Sequence, residues 1–240
     1  EEFRRPTRFT FSLRADGPRE VWIGMGEGEE PWRSIVPPQR VPLDVDWTTH
    51  VLFADPAWMR GERFQSFRLF LWLGGNATSI EWQGVASHEM GPNEWPLSLA
   101  STPAAQVRYQ ASKDPTRVGV VPVEPGSAPF DAQVQVALPA IEERKLYRLT
   151  ATLGSGEPRS AIVAVNQSHE PWNSLGLSRT VSLPLPVEDH VWDFEATASD
   201  ESPRFVIALG GDKTPIEVGP ISFREVDREH SPIIRTGEGH

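Results

Sequence analysis

The sequence has no cysteine in its 240 residues. Disulfides, zinc–thiolate centres and thiol nucleophiles are thereby excluded, although this absence does not fix the compartment. No apolar run approaches the ~20 residues that a membrane-spanning helix requires. There is no excess of positive charge: 23 Lys and Arg stand against 33 Asp and Glu, a net charge of −10. Residues 1–100 hold 10 basic and 14 acidic side chains, and residues 101–240 hold 13 and 19, so both parts are acidic. Nucleic-acid backbones and anionic lipid surfaces both demand clustered Lys and Arg, so both are disfavoured as partners. Long stretches of helical period are also missing. The 23 prolines work against helices and for short strands joined by rigid turns.

Catalytic signatures are scarce too. There is no His-Glu-x-x-His, no Gly-x-Ser-x-Gly and no phosphate-binding loop. "GMGEGE" is not followed by a helical pattern and reads as a turn. The pairs Glu29-Glu30 and Glu142-Glu143 are neighbours in sequence. Glycosidase acids are set by separation across a cleft, so adjacency says nothing, and the pairs read as solvated surface charge. The sequence starts "EEFRR" without Met or signal peptide, as a processed product or an excised piece would. "NAT" at Asn76 and "NQS" at Asn166 match the short glycosylation sequon, a pattern common by chance.

What the chain does contain is a repeat. "EEPWRSIVPPQRVPL" and "HEPWNSLGLSRTVSL" align at an offset of 140, matching Trp32 with Trp172, Ser34 with Ser174, Leu43 with Leu183 and His50 with His190. At an offset of 136, "LGGNATSIE" (Leu73 to Glu81) matches "LGGDKTPIE" (Leu209 to Glu217). Two motifs kept in order point to duplication, with a four-residue loop change between them.

Each copy alternates with period 2. Phe9, Phe11 and Leu13 share a face. Val21, Ile23 and Met25 share another, opposite Trp22. Leu69, Leu71 and Leu73 oppose Phe70 and Trp72, and Trp192 and Phe194 oppose Asp193 and Glu195. The Gly-Gly pairs at 74–75 and 210–211 suit tight turns. The second copy has further strand material ahead of it, in "VRYQASK", "TRVGVVPV" and "DAQVQVAL". The expected organisation is a β-sandwich domain over 1–92, short of its leading strands, a linker over 93–103, a complete sandwich over 104–228 and a polar tail over 229–240.

The run from Ala161 to Val226 resembles the carbohydrate-binding modules of the family 4/9/22 type. The residues that carry the resemblance are Val163 to Gln167, Pro171-Trp172, Val181 to Leu183, Trp192 to Phe194, Val206 to Gly210 and Ile216 to Ile221. The resemblance implies an all-β chain of two jelly-roll, galactose-binding-like sandwiches in tandem, the first truncated. It implies non-catalytic polysaccharide binding outside the cytoplasm, in a groove on the concave sheet. It also allows a structural calcium, for which no residue is identified as ligand.

Sugars are held by aromatic rings lying on pyranose C–H faces, with polar side chains taking the hydroxyls. In the first copy Trp22, Phe70 and Trp72 lie opposite the inferred core, with Trp58 in a loop. They form either a sugar platform or a face packed under the linker, against the second domain or against a partner. In the second copy the candidates are Gln167, His169, Glu170, Trp172 and Asn173, in the loop after a strand. The alternative is that Trp172 closes the end of the sandwich. His50 and His190 read as polar strand ends. Ile162, Ala164, Val206 and Ala208 face away from the second core, too small to stack on a sugar. Two functions therefore stand open: polysaccharide binding, or a docking subunit that grips another protein through its sheet faces and the open edge of domain 1.

Overall fold

The structure, a computed structural model, describes residues 6–28, 34–54, 67–73, 79–91, 94–183 and 186–227. Among them regular structure is β, apart from a 3-10 turn at Pro129–Asp131. No helix of the described residues is long and apolar enough to cross a membrane. The chain divides into two compact units, one of Glu1–Pro92 with Arg108–Gly119, the other of Asn93–Val107 with Val120–His240.

The first unit is built on β1 (Thr7–Ala15), β2 (Arg19–Glu27), β3 (Ser34–Leu43), β4 (Thr48–Ala54), β5 (Phe67–Trp72) and β6 (Ile80–Glu89). One sheet runs β4-β1-β6 and the other β3-β2-β5, antiparallel throughout. Alternation along β1 and β2 sends Phe9, Phe11, Leu13, Val21, Ile23 and Met25 between the sheets, all at most 4% exposed. Each such side chain stabilises the fold by about 1.5–3 kcal/mol. The outer edge of β4 is met by β8 (Gln106–Gln110), where Tyr109 bridges to Thr49. Ala111 N–H donates to Thr49 Oγ1 at 3.1 Å, and the Arg8 guanidinium donates to the carbonyls of Pro115 and Arg117.

The second unit is built on β7 (Ser98–Ser101), β9 (Val118–Glu124), β10 (Ala132–Ala137), β11 (Leu146–Ser155), β12 (Arg159–Gln167), β13 (Ser174–Leu183), β14 (Glu188–Glu195), β15 (Pro203–Ala208) and β16 (Ile216–Glu225). One sheet has the order β9-β16-β11-β14 and the other β13-β12-β15-β10-β7. Val134, Leu149, Leu153, Val163, Phe205 and Ile207 fill the space between them at no more than 1% exposure. Tyr147 and Phe223 stack at 5.1 Å. At the margin Arg148 donates two bonds to Asp193, at 2.7 and 2.8 Å. This pairing is bidentate and only partly solvated, so it is stronger than an open surface pair.

The internal repeat is visible strand by strand. At an offset of 140, β1 to β4 correspond to β11 to β14, and at 136, β5 and β6 correspond to β15 and β16. A shared structural bond accompanies the match. Arg19 donates to the Leu73 carbonyl, and the buried Arg159 donates to the Leu209 carbonyl at 3.0 Å.

Four expectations need correction or restriction. Residues 93–103 are not a free linker: Ser98–Ser101 pairs with β10, and Glu94 bridges to Ser222. Arg108–Gly119, expected with the second sandwich, folds with the first because Arg8 and Thr49 satisfy its backbone. His50 is no polar strand end. It faces the core at 9% exposure with its ring 5.8 Å from Phe11, and burial pushes its pKa down to about 4. Trp32, Trp58, the Gly74-Gly75 turn and the tail from 228 lie outside the described residues, whereas Gly211 takes the expected positive φ of 83°.

Candidate functional site

In the second unit β12 ends at Gln167 and the chain returns at β13 through residues 168–173. Gln167 closes this loop twice. Its N–H donates to the Asn173 carbonyl at 3.0 Å, and its Oε1 accepts from Asn173 N–H at 3.2 Å. Within the loop the Glu170–Pro171 peptide is cis and Trp172 has a φ of +61°. Few non-glycine residues adopt that conformation, so the surroundings must hold it. Trp172 N–H donates to the His169 carbonyl at 2.8 Å, and the Arg204 guanidinium lies 5.0 Å from the Trp172 ring. Trp172 stays 48% exposed.

His169 is pinned behind the tryptophan. Its Nδ1 meets the Glu170 carbonyl at 2.8 Å and its Nε2 meets Asp200 Oδ2 at 3.1 Å. The carbonyl bond, then the carboxylate, raise its pKa above the usual histidine value. Glu170 and Asn173 are exposed beside it. The structure thus brings the five sequence-predicted residues of this copy into one loop, with Trp172 presented outward.

The sheet next to the loop adds residues that the sequence reading missed. Register places Gln133 and Gln135 of β10, Arg204, Val206 and Ala208 of β15, and Ile162, Ala164 and Asn166 of β12 on one face, turned away from the core. Ala164, Val206 and Ala208 are covered on that face, each at most 3% exposed. Gln133, Gln135, Asn166 and Arg204 are half-buried along it, with Gln135 donating to Gln133 at 2.8 Å. Arg204 Nε is buried without a hydrogen-bond partner among the described residues. The alternation in "DAQVQVAL" carried the glutamine signal. The Arg204–Trp172 contact had none, because it joins residues 32 apart in the chain.

The corresponding face of the first unit is aromatic. Trp22 lies directly across from Trp72, and the Phe70 ring packs tilted against Trp72 with centres 5.4 Å apart. Trp22 and Trp72 are 48% and 45% exposed, while Phe70 is half-buried. Gly24 permits this. A Cβ there would stand 3.3 Å from the Trp72 ring and 3.1 Å from the Val36 carbonyl, a tight fit that would press on the ring where it lies against the strand. Arg68 covers Phe70 at 5.9 Å, the counterpart of Arg204 at the 136 offset. Among the described residues no three His, Asp or Glu side chains gather as a metal site, so the donor set for a structural calcium is not found there.

An antiparallel, two-sheet β-sandwich with ligand-sized sheet faces is the class these features define. Comparison with known proteins agrees at the level of fold. No protein-family model and no curated protein match the sequence. Among solved structures, a carbohydrate-binding module described as "CBM4 structure and function" superposes with a TM-score of 0.50 at 17% identity, covering 56% of this chain and 90% of that one. The second N-terminal cellulose-binding domain of Cellulomonas fimi β-1,4-glucanase C matches at TM-score 0.44 and 14% identity, covering 57% and 94%. The tandem CBM22-1–CBM22-2 domain of Paenibacillus barcinonensis Xyn10C matches at TM-score 0.40 and 6% identity, covering 92% and 79%.

Proposed function

We propose that the chain is a non-catalytic polysaccharide-binding protein that acts outside the cytoplasm. The observation that carries this reading is the corresponding sheet face in the two units. In the second unit it is a row of half-buried amide and guanidinium groups, with an exposed tryptophan beside Arg204 at one end. In the first it is a strip of Trp22, Phe70 and Trp72. The exposed rings of Trp22, Trp72 and Trp172 take the C–H face of a sugar ring, and Gln133, Gln135, Asn166, Asn173, His169 and Glu170 take hydroxyls. Rigid rings lose little entropy on binding, which is how weak contacts sum to useful affinity. The fold shared with a carbohydrate-binding module supports the same reading.

Calorimetry and affinity electrophoresis against a panel of soluble β-glucans, xylans and mannans test it. At least one should bind, and Trp172→Ala should weaken binding about 10-fold, the loss of roughly 1.4 kcal/mol of stacking. Trp72→Ala should do the same for any second site. Binding that ignores both substitutions, or no binding across the panel, overturns the proposal.

A second reading, a docking subunit of a larger assembly, is favoured by one observation: an apolar cleft opens beside β5 and β6 of the first unit.

A further inference from the structure

Among the described residues of the second unit, the arginines that are not exposed are satisfied by the protein, with one exception. Arg148 donates to both carboxylate oxygens of Asp193, and Arg159 donates to the Thr214 and Leu209 carbonyls. Arg204 is half-buried, yet among the described residues it makes no hydrogen bond and no ion pair, and its Nε is buried without a partner. Burial lowers its pKa from the ordinary arginine value, but a guanidinium stays charged at any working pH. A partly desolvated cation left without a partner costs free energy that a bound anion would restore.

Its position says which anion. Arg204 stands directly across from Asn166 in the register of β12 and β15, on the face turned away from the core. Its guanidinium lies 5.0 Å from the exposed Trp172 ring. The other polar side chains of this face, Gln133, Gln135 and Asn166, are neutral amides. The acids nearest in the chain do not answer the charge. Asp200 accepts from Ser202 N–H and meets His169, while Glu170 and Glu201 are exposed and form no ion pair with Arg204. A stacking ring beside a planar cation suits a pyranose that bears a carboxylate, because the carboxylate accepts two parallel N–H bonds from the guanidinium fork. A neutral hydroxyl leaves the charge unanswered.

We infer that Arg204 binds the carboxylate of a uronic acid, and that the second unit takes a mostly neutral polysaccharide carrying occasional uronates. The sparse charge follows from the surroundings. One cation among three neutral amides, on a chain of net charge −10, offers a single anion contact and repels a polymer that is acidic at every sugar. The inference deepens the glycan reading and rests on it.

The test uses pairs of polymers that differ only in the carboxylate: a glucuronoxylan before and after carboxyl reduction, and a soluble β-glucan before and after sparse oxidation at C6. Calorimetry on the whole chain should show about 10-fold tighter binding of the acidic member than of its neutral partner. Arg204→Gln keeps a hydrogen-bond donor but no charge, and should abolish the preference. The ratio is the readout because a displaced Trp172 ring would weaken both members alike. In the unaltered chain, the Arg204 Nε–H signal in NMR should move with an acidic xylo-oligosaccharide and stay in place with its reduced form, a measurement that needs no variant. Polygalacturonate, acidic at every sugar, should bind more weakly than the glucuronoxylan, and the reverse order overturns the sparse-charge assignment. Equal affinity for the two members of a pair, or a preference that survives Arg204→Gln, overturns the inference, while the glycan reading stands on the binding of either member. If neither member of any pair binds, both fall.

Discussion

The two units are one six-strand plan carried out twice with opposite emphasis. In the second, β10 closes the sandwich, the core positions of β15 and β16 are sealed, and the outward face keeps small residues, Ile162, Val206 and Ala208. In the first, the core positions Leu69 and Leu71 are only half-buried among the described residues, and the matching outward positions are Trp22, Phe70 and Trp72. The comparison teaches that a core position is defined by its neighbours and not by its residue type. Leu71 and Ile207 sit at the same place in the same strand, yet only the latter is fully buried.

Denaturation of paired variants breaks this comparison most directly. Phe205→Ala should cost about 3–5 kcal/mol through the cavity it leaves. Leu69→Ala at the corresponding place should cost about 1 kcal/mol, because Leu69 is already half-exposed. Equal losses would mean that Leu69 is packed as deeply in solution as Phe205.

The next effect is a pH dependence confined to the first unit. Burial lowers the His50 pKa to about 4, while the unfolded chain protonates near 6.5. The stabilisation is complete above pH 6.5 and is lost as pH falls towards 4, in total about 3 kcal/mol. Melting temperatures at pH 7.5 and 4.5 should therefore differ more for the wild type than for His50→Leu. No difference between the two proteins would place the imidazole in solvent.

A smaller effect belongs to the second unit. Asp193→Asn removes the bidentate partner of Arg148, and chemical denaturation should report a loss of about 1 kcal/mol. The first unit has Phe53 in place of Asp193 and no such pair to lose. The smallest effect expected is from Trp22→Ala, within about 0.5 kcal/mol of wild type in stability, since its ring lies on the surface. Its effect should instead be read in glycan affinity.

Much of the plan was legible in the sequence. Period-2 alternation placed Phe9, Phe11 and Leu13 inward and Trp22 and Trp72 outward, because strand geometry makes the face of a side chain a local property. The repeat aligned the strands, because equal spacing survives in an unbroken ladder. What stayed hidden was non-local. Nothing near Arg108–Gly119 announces that Arg8, a hundred residues earlier, accepts it into the first unit. Nothing near Arg204 announces that Trp172 will lie against it. The burial of His50 is hidden for a related reason. A polar residue at the start of a strand looks exposed until the Phe11 ring across the sheet is seen to cover it.

Backbone amide NMR of the second unit's sheet during titration with the oligosaccharide of whichever polysaccharide binds is the most direct test. The account predicts that shifts concentrate at Gln133, Gln135, Ala164, Arg204 and Val206, and at the Trp172 indole, with β11 and β14 unmoved. Shifts centred on β11 and β14 instead, or saturation by the sugar with no response at Trp172, would contradict it.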